Sequence, residues 1–384
     1  MPHSTGLIYS DAYQSYRFSP DHPFNPIRLL WTYELIQELR LLSPAELVAP
    51  KPANDEDLLR VHAASYIAEV RRLSQGGQVN ESSLLYGLGT EDDPGFPGMH
   101  DAAALAAGGS LAGARALADG HLLHAFNLGG GLHHAFAAQA AGFCIYNDIA
   151  LAILALRDRG LRVAYIDIDV HHGDGVQEIF YRDPQVLTVS FHENGRYLFP
   201  GTGGVQELGA GSGLGATLNV PLEPFTDDAS WLEMFEAVVP AALATFRPDV
   251  LVTLHGCDGH VLDPLADMRL STRFYWRTAA RLHELAHTFA AGRWLALGGG
   301  GYELLRVVPR AWTLVWAEMR GTPLPEDAEV PADFNRRHQP PGAEPLPRLV
   351  VDPQDFVPPL DRQSEIAGRN RATLARLRQI SPLL

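Results

Sequence analysis

The chain is poor in sulfur, in positive charge and in long apolar runs, and each shortage excludes something. Cysteine occurs twice in 384 residues, as Cys144 and Cys257. That is too few for a disulfide framework, so a reducing, cytoplasmic setting is expected. Thirty Lys and Arg stand against 45 Asp and Glu, for a net charge of −15. This balance argues against nucleic acid and against an anionic membrane surface as partners. No run approaches the roughly 18 apolar residues of a membrane span, and the opening MPHSTGLIYSDAY lacks the charged-then-apolar plan of a secretion signal. What the chain does contain is 46% hydrophobic residues, enough for a large core, and 16 histidines whose placement must decide their use.

Short apolar runs alternate with helical stretches. Residues 7–9, 124–128, 163–168, 186–191, 217–220, 250–254 and 294–297 read as strands. The spacing predicts helices over 26–42, with Asn25 as cap and Pro26 at the first position, and over 102–118, 149–159 and 228–246. Two more are expected, one from the cap Ser271 towards residue 291 and one over 303–319. Near-continuous apolar strands between helices imply an α/β fold with a mostly parallel sheet covered on both faces. The segment after Gly321, rich in proline and charge, is expected to wrap the surface or trail from it.

In open α/β sheets the ligand site lies beyond the carboxyl ends of the strands. Four strand ends here carry polar, glycine-rich loops: Gly129 to His134, Asp167 to Gly175, His255 to Asp258, and Gly298 to Tyr302. The densest is Asp167-Ile-Asp-Val-His-His-Gly-Asp-Gly175. Extended backbone would put Asp167, Asp169 and His171 on one face, with Ile168 and Val170 turned into packing. Carboxylates with an imidazole suit zinc, iron(II), cobalt or manganese, and Asp258 is the best candidate for a third ligand. Two Asp and one His would leave coordination positions open, as catalysis requires. The competing reading is a hydrogen-bonded surface cluster. The tandem His133-His134 offers a general base, and a histidine base needs an acceptor to fix its tautomer; Asp167 and Asp174 are available. Adjacent histidines also arise by chance in a His-rich chain. Tyr302, after four glycines, either fills the core or presents a phenol to a developing oxyanion.

Several motifs together resemble the zinc-dependent histone deacetylase family, in its bacterial acetoin-utilisation branch. They are Asp21-His-Pro-Phe-Asn-Pro-Ile-Arg28, Gly130-Gly-Leu-His-His134, Gly142-Phe-Cys-Ile-Tyr-Asn-Asp148, the string 167–175, Phe199-Pro-Gly-Thr-Gly203, His255-Gly-Cys-Asp258 and 297–302. The likeness spans residues 9–319. It implies a single α/β domain of the arginase/deacetylase fold, with a mostly parallel eight-stranded sheet flanked by helices. The catalytic domain would cover 1–320, with a Pro-rich extension over 321–384 packed on it or trailing from it.

The resemblance also implies roles. Asp169, His171 and Asp258 match the zinc ligands, with iron(II) as an alternative metal. His133 and His134 match the tandem histidines, paired with Asp167 and Asp174 respectively, and Tyr302 matches the tyrosine that holds the carbonyl oxygen. Gly142, Phe143, Phe199 and Leu265 match the walls of an acyl-lysine tunnel, with Leu198 where a second aromatic often stands. Asp92, or else Asp93, matches a rim aspartate that grips substrate backbone. A structural potassium ion would be held by Asp167, Asp169, His171 and Ser190 with the Phe191 backbone, and a second monovalent site would fall near Phe180 and Asp183. The implied reaction is removal of acetyl or other acyl groups from lysine side chains, on an acylated protein or acyl-lysine peptide. His134 would be the general base and His133 an electrostatic aid.

Three rivals remain at the level of sequence: an acetylpolyamine or other small-amide hydrolase, an arginase-like binuclear enzyme, and a non-catalytic acyl-lysine binder. Against the second, Gly173 stands where a further carboxylate would be wanted. Against the third, both a base and an oxyanion donor are present. Nothing in the sequence assigns an oligomeric state.

Overall fold

A computed structural model describes residues 4–384. Its centre is one eight-stranded sheet in the order β2-β1-β3-β8-β7-β4-β5-β6. The strands are β1 (Thr5–Ile8), β2 (Leu47–Val48), β3 (His124–Asn127), β4 (Val163–Asp167), β5 (Val186–Glu193), β6 (Thr217–Leu222), β7 (Val250–Leu254) and β8 (Trp294–Leu297). Every pairing between them is parallel. The sheet is therefore wholly rather than mostly parallel, and β2, two residues long, is too short to leave a period in the sequence.

Helices α1 (Ile27–Glu38), α2 (Asp55–Leu58), α3 (Ala64–Ser74), α4 (Glu81–Leu85), α5 (Met99–Ala118) and α6 (Asp148–Arg157) belong to the first half of the chain. In the second half come α7 (Asp174–Phe180), α8 (Asp228–Phe246), α9 (Thr272–Phe289), α10 (Val308–Met319), α11 (Ala332–His338) and α12 (Gln363–Ile380). Alternate strand residues feed two cores, as a pleated sheet covered on both faces demands. Ala164, Ile166, Trp294 and Ala296 pack with residues of α8, α9 and α10, whereas Val163, Tyr165, Leu295 and Leu297 pack with those of α3, α5 and α6.

Element ends depart from expectation for identifiable reasons. The first helix stops at Glu38, not residue 42, because Arg40 takes a positive φ of 56°. Ser271 is not a side-chain cap; its hydroxyl donates to Asp228 Oδ2 at 2.6 Å. The last expected helix begins at Val308 rather than 303, after turns over 304–307, and the Asp263 carboxylate accepts from the backbone N–H of Tyr302 at 2.7 Å and of Glu303 at 3.3 Å. Beyond Gly321 the chain is laid onto the fold. Val350 and Val351 are buried, α12 packs on β6 and α8 through Leu374 and Leu377, and Arg310 and His260 both bond the buried Asp352. Among the described residues, no helix is long and apolar enough to cross a membrane.

Candidate active site

The four polar loops follow β3, β8, β7 and β4, which are consecutive neighbours at the middle of the sheet. Their convergence is thus a product of strand order. The β4 strand ends at Asp167, one residue earlier than expected, and strict alternation ends with it. Asp167 Oδ1 accepts from the N–H of Asp169 at 3.0 Å, and Asp169 Oδ1 from the N–H of His171 at 2.9 Å. Each short carboxylate bends the chain by bonding the backbone two residues on. Asp169 and His171 then meet Asp258, whose Oδ1 accepts from the N–H of Val170 at 3.0 Å.

One ligand-type atom from each of Asp169, His171 and Asp258 lies within 4.8 Å of the others. Nδ1 of His171 is 3.2 Å from Asp169 Oδ1 and 3.1 Å from Asp258 Oδ2, so a single ring N–H faces two buried carboxylates. Burial works against charging His171, but the bonds and charges of those two carboxylates outweigh it and raise its pKa to about 10. The imidazolium stands in for a cation between two acids. Two carboxylates and an imidazole in a buried set are the donors that a divalent metal takes with positions to spare. Gly300 makes room for them. A side chain there would put its first carbon 2.0 Å from Asp258 Oδ2, and its own N–H donates to Asp169 Oδ2 at 2.8 Å.

The tandem histidines stack beside this set with ring centroids 4.0 Å apart. His133 Nδ1 donates to Asp167 Oδ2 at 2.9 Å, and His134 Nδ1 donates to Asp174 Oδ1 at 2.7 Å. His133 Nε2 reaches to 3.8 Å from Asp169 Oδ1. For His133, burial opposes the charge, but Asp167 and Asp169 overcome it and hold the pKa at about 9. For His134, burial and then the charge of His133 push it down to about 4, against the pull of Asp174. One ring is kept charged and the other neutral. Burial, with the charges of Asp258 and Asp169, pushes the Tyr302 phenol well up, so it stays a donor.

Two of the residues expected at the tunnel walls touch the histidine and tyrosine rings. Phe199 lies edge-on to His134 at 5.0 Å between ring centroids, and Phe143 edge-on to Tyr302 at 5.7 Å. Gly142 separates Phe199 from His134, for a carbon added there would lie 2.4 Å from the His134 ring and 3.0 Å from that of Phe199. Leu265 is half-buried, its N–H donating to Asp263 Oδ1 at 3.1 Å, and Leu198 packs inward while Phe199 stays exposed. Of the two rim candidates, Asp92 is exposed and Asp93 is buried, its carboxyl pushed well up first by burial and then by Asp92. Of the two, Asp92 is the one open to solvent. Among the proposed potassium-binding residues, Asp167 and Ser190 are register partners on β4 and β5, and the Ser190 hydroxyl lies 2.9 Å from His192 Nδ1.

Other residues that build the site carry no role at the level of sequence, although His22, Arg28 and Asp148 lie in the motifs quoted above. Asp148 accepts from the N–H of Gly131 at 3.0 Å and of Leu132 at 2.7 Å, holding the loop that carries both histidines. Tyr165 donates to Asp167 Oδ2 at 2.6 Å. Buried Arg28 donates to Gly301 O at 2.7 Å, with its guanidinium 5.3 Å from Trp312 and 5.8 Å from Tyr302, and so fixes the loop behind the phenol. His22 accepts from the N–H of Phe24, which leaves its Nε2–H to donate to Asp92 O at 3.1 Å and steady the rim.

A parallel α/β sheet with this set at its carboxyl edge defines a class, and comparison with known proteins gives the same one. A model of the histone deacetylase domain matches residues 22–319. The chain belongs to the histone deacetylase family and is a deacetylase-family hydrolase. Within the family it is 45% identical to the acetoin utilization protein AcuC of Bacillus subtilis (strain 168), over 96% of this chain and 95% of that one. Identity to the acetoin utilization protein AcuC of Staphylococcus xylosus is 39%, over 96% of each. The crystal structure of a histone deacetylase homolog from Aquifex aeolicus superposes with a TM-score of 0.82 at 29% identity, covering 96% of this chain and 100% of that one.

Proposed function

We propose that the protein hydrolyses the amide of acetylated, and more broadly acylated, lysine side chains on proteins or peptides. The observation that carries this reading is the placement of the tandem histidines. His133 and His134, stacked at 4.0 Å and each bonded through Nδ1 to its own carboxylate, lie beside one buried acid–imidazole–acid set. Asp169, His171 and Asp258 would hold a divalent ion, zinc by preference and iron(II) as the alternative. When bound, that ion supplies Lewis acidity towards the amide carbonyl and lowers the pKa of a coordinated water.

The chain's own groups do the rest. Asp174 holds the Nδ1 proton of His134, which leaves Nε2 as the base that takes a proton from the attacking water and returns it to the departing lysine amine. His133, kept charged by Asp167 and Asp169, offsets negative charge as the carbonyl oxygen becomes an oxyanion, and the Tyr302 hydroxyl donates to that oxygen. Phe143 and Phe199 would bury the lysine methylenes, worth on the order of 0.8 kcal/mol each. Asp92 would accept from substrate backbone at the rim. Asp167, Asp169, His171, Ser190 and the Phe191 carbonyl would hold a potassium ion, hard oxygen donors suiting such a cation, and thereby brace the metal loop.

Turnover on a fluorogenic acetyl-lysine peptide, set beside an N-acetylated polyamine, tests the assignment. Faster release from the peptide is expected. Hydrolysis of the polyamine alone would move the protein to the small-amide class, and hydrolysis of neither would overturn the reading.

A further inference from the structure

The catalytic set occupies the carboxyl ends of the strands, and a second group of imidazoles gathers at the opposite end. His124 opens β3, while His283 and His287 stand four residues apart on α9, on one face of that helix. The ring of His124 lies 4.7 Å from that of His283 and 5.3 Å from that of His287, and the two helix rings are 4.9 Å apart between centroids. One nitrogen from each ring lies within 4.8 Å of the others. Nε2 of His283 and Nε2 of His287 are already 3.1 Å apart.

We propose that His124, His283 and His287 form a second metal site, distinct from the catalytic one, that takes a divalent transition-metal ion of borderline softness such as zinc, nickel or copper(II). The tautomer of His124 supports it. Its Nδ1 is 2.8 Å from the Met319 carbonyl, which can only accept, so Nδ1 carries the proton and Nε2 is the nitrogen with the lone pair. An imidazole oriented by a carbonyl on its other nitrogen is how metal-binding histidines are ordinarily held. The spacing agrees as well. Metal–nitrogen bonds of about 2.0–2.1 Å in a tetrahedral site set ligand nitrogens roughly 3.4 Å apart. The helix pair, hydrogen-bonded to each other at 3.1 Å, is near that value, and a bound ion would take the place of the proton between them.

Packing holds the rings in place: His283 stacks on Trp294 at 5.8 Å and 26°, and His124 meets the same indole edge-on at 6.0 Å. A set of three imidazoles disfavours calcium and magnesium, which want oxygen, and favours zinc, nickel or copper. His124 is buried, His283 half-buried and His287 exposed, so an ion enters from solvent and keeps a coordination position facing it. Binding ties the start of β3 to α9, elements far apart in the chain. Since the site exists only in the folded state, occupancy stabilises the protein by mass action.

The test is zinc content per chain, measured on protein without a polyhistidine tag after loading and removal of excess metal. Wild type is expected to hold two equivalents, and the double variant His283→Gln, His287→Gln one, with turnover on an acetyl-lysine peptide retained. Asp258→Ala, which damages the catalytic set only, should keep the equivalent at the cluster. This arm reports on the cluster even if the deacetylase assignment fails. Should the double variant not fold, His287→Gln alone, at the exposed ligand, reads out the same loss. Equal zinc content in wild type and histidine variants overturns the site.

Discussion

His133 and His134 are adjacent in the chain and stacked in space, yet their pKa values lie at about 9 and about 4. The difference comes from position rather than residue type. His133 sits between Asp167 and Asp169, whereas His134 has Asp174 on one side and two other imidazoles, His133 and His171, on the other. In the proposed reaction that difference would suit His134 to moving the proton and His133 to offsetting negative charge.

A pH profile follows from that split. His134 acts when neutral, so kcat/KM should rise as pH increases past its depressed pKa. His133 assists when charged, so kcat/KM should fall as pH increases past about 9. The flat region is therefore expected to extend on both sides of the ordinary histidine value. Replacing His133 with Asn removes the imidazolium that helps hold His134 down, so the acid limb should move to higher pH. A limb that stays put would separate the two titrations.

Tyr302→Phe should lose about 10²–10³ in kcat, the usual effect of removing one oxyanion donor. Metal content should not change, because Tyr302 is outside the acid–imidazole–acid set. Near-wild-type turnover would remove the phenol from the chemistry.

The C-terminal extension should matter for stability. Asp352 takes the guanidinium of Arg310 at 2.6 Å and His260 Nε2 at 2.9 Å. Burial opposes its ionisation, but the bond from His260 and the charge of Arg310 outweigh this and hold the carboxyl well below the ordinary range. The stabilisation is then complete above the unfolded value of about 3.9 and fades as pH falls below it. Asp352→Ala leaves Arg310 buried without its partner, a loss of about 3–5 kcal/mol. Denaturant unfolding near neutral pH measures it, and a change below 1 kcal/mol would contradict the account.

Much of this was open to sequence reasoning, and the reason is local density. Asp169 and His171 sit two residues apart in a string of acids and imidazoles, and each of the four loops follows a strand marked by β-branched or large apolar residues. Asp258 lay far off yet stood at a strand end of the same kind. What stayed hidden depends on contacts between distant residues that no period records. Asp148 supports the histidine loop from 17 residues away, and Arg28 reaches Gly301 across 273. The sequence leaves open whether the segment after Gly321 packs on the domain or trails from it, and α12 itself is not marked there because it is charged on most sides and its buried anchors, Ile366, Leu374 and Leu377, are sparse. The bend at Asp167 was missed because β-alternation was extended past the point where carboxylates take over the backbone.

The most direct measurement is deacetylation of an acetyl-lysine peptide by protein stripped with a chelator, then reloaded with zinc, in wild type and in Asp258→Ala. Activity should vanish on stripping and return on reloading in wild type, and stay absent in the variant, which lacks one of the three ligands. Turnover that survives stripping, or that zinc restores equally in Asp258→Ala, would contradict a catalytic metal held by Asp169, His171 and Asp258.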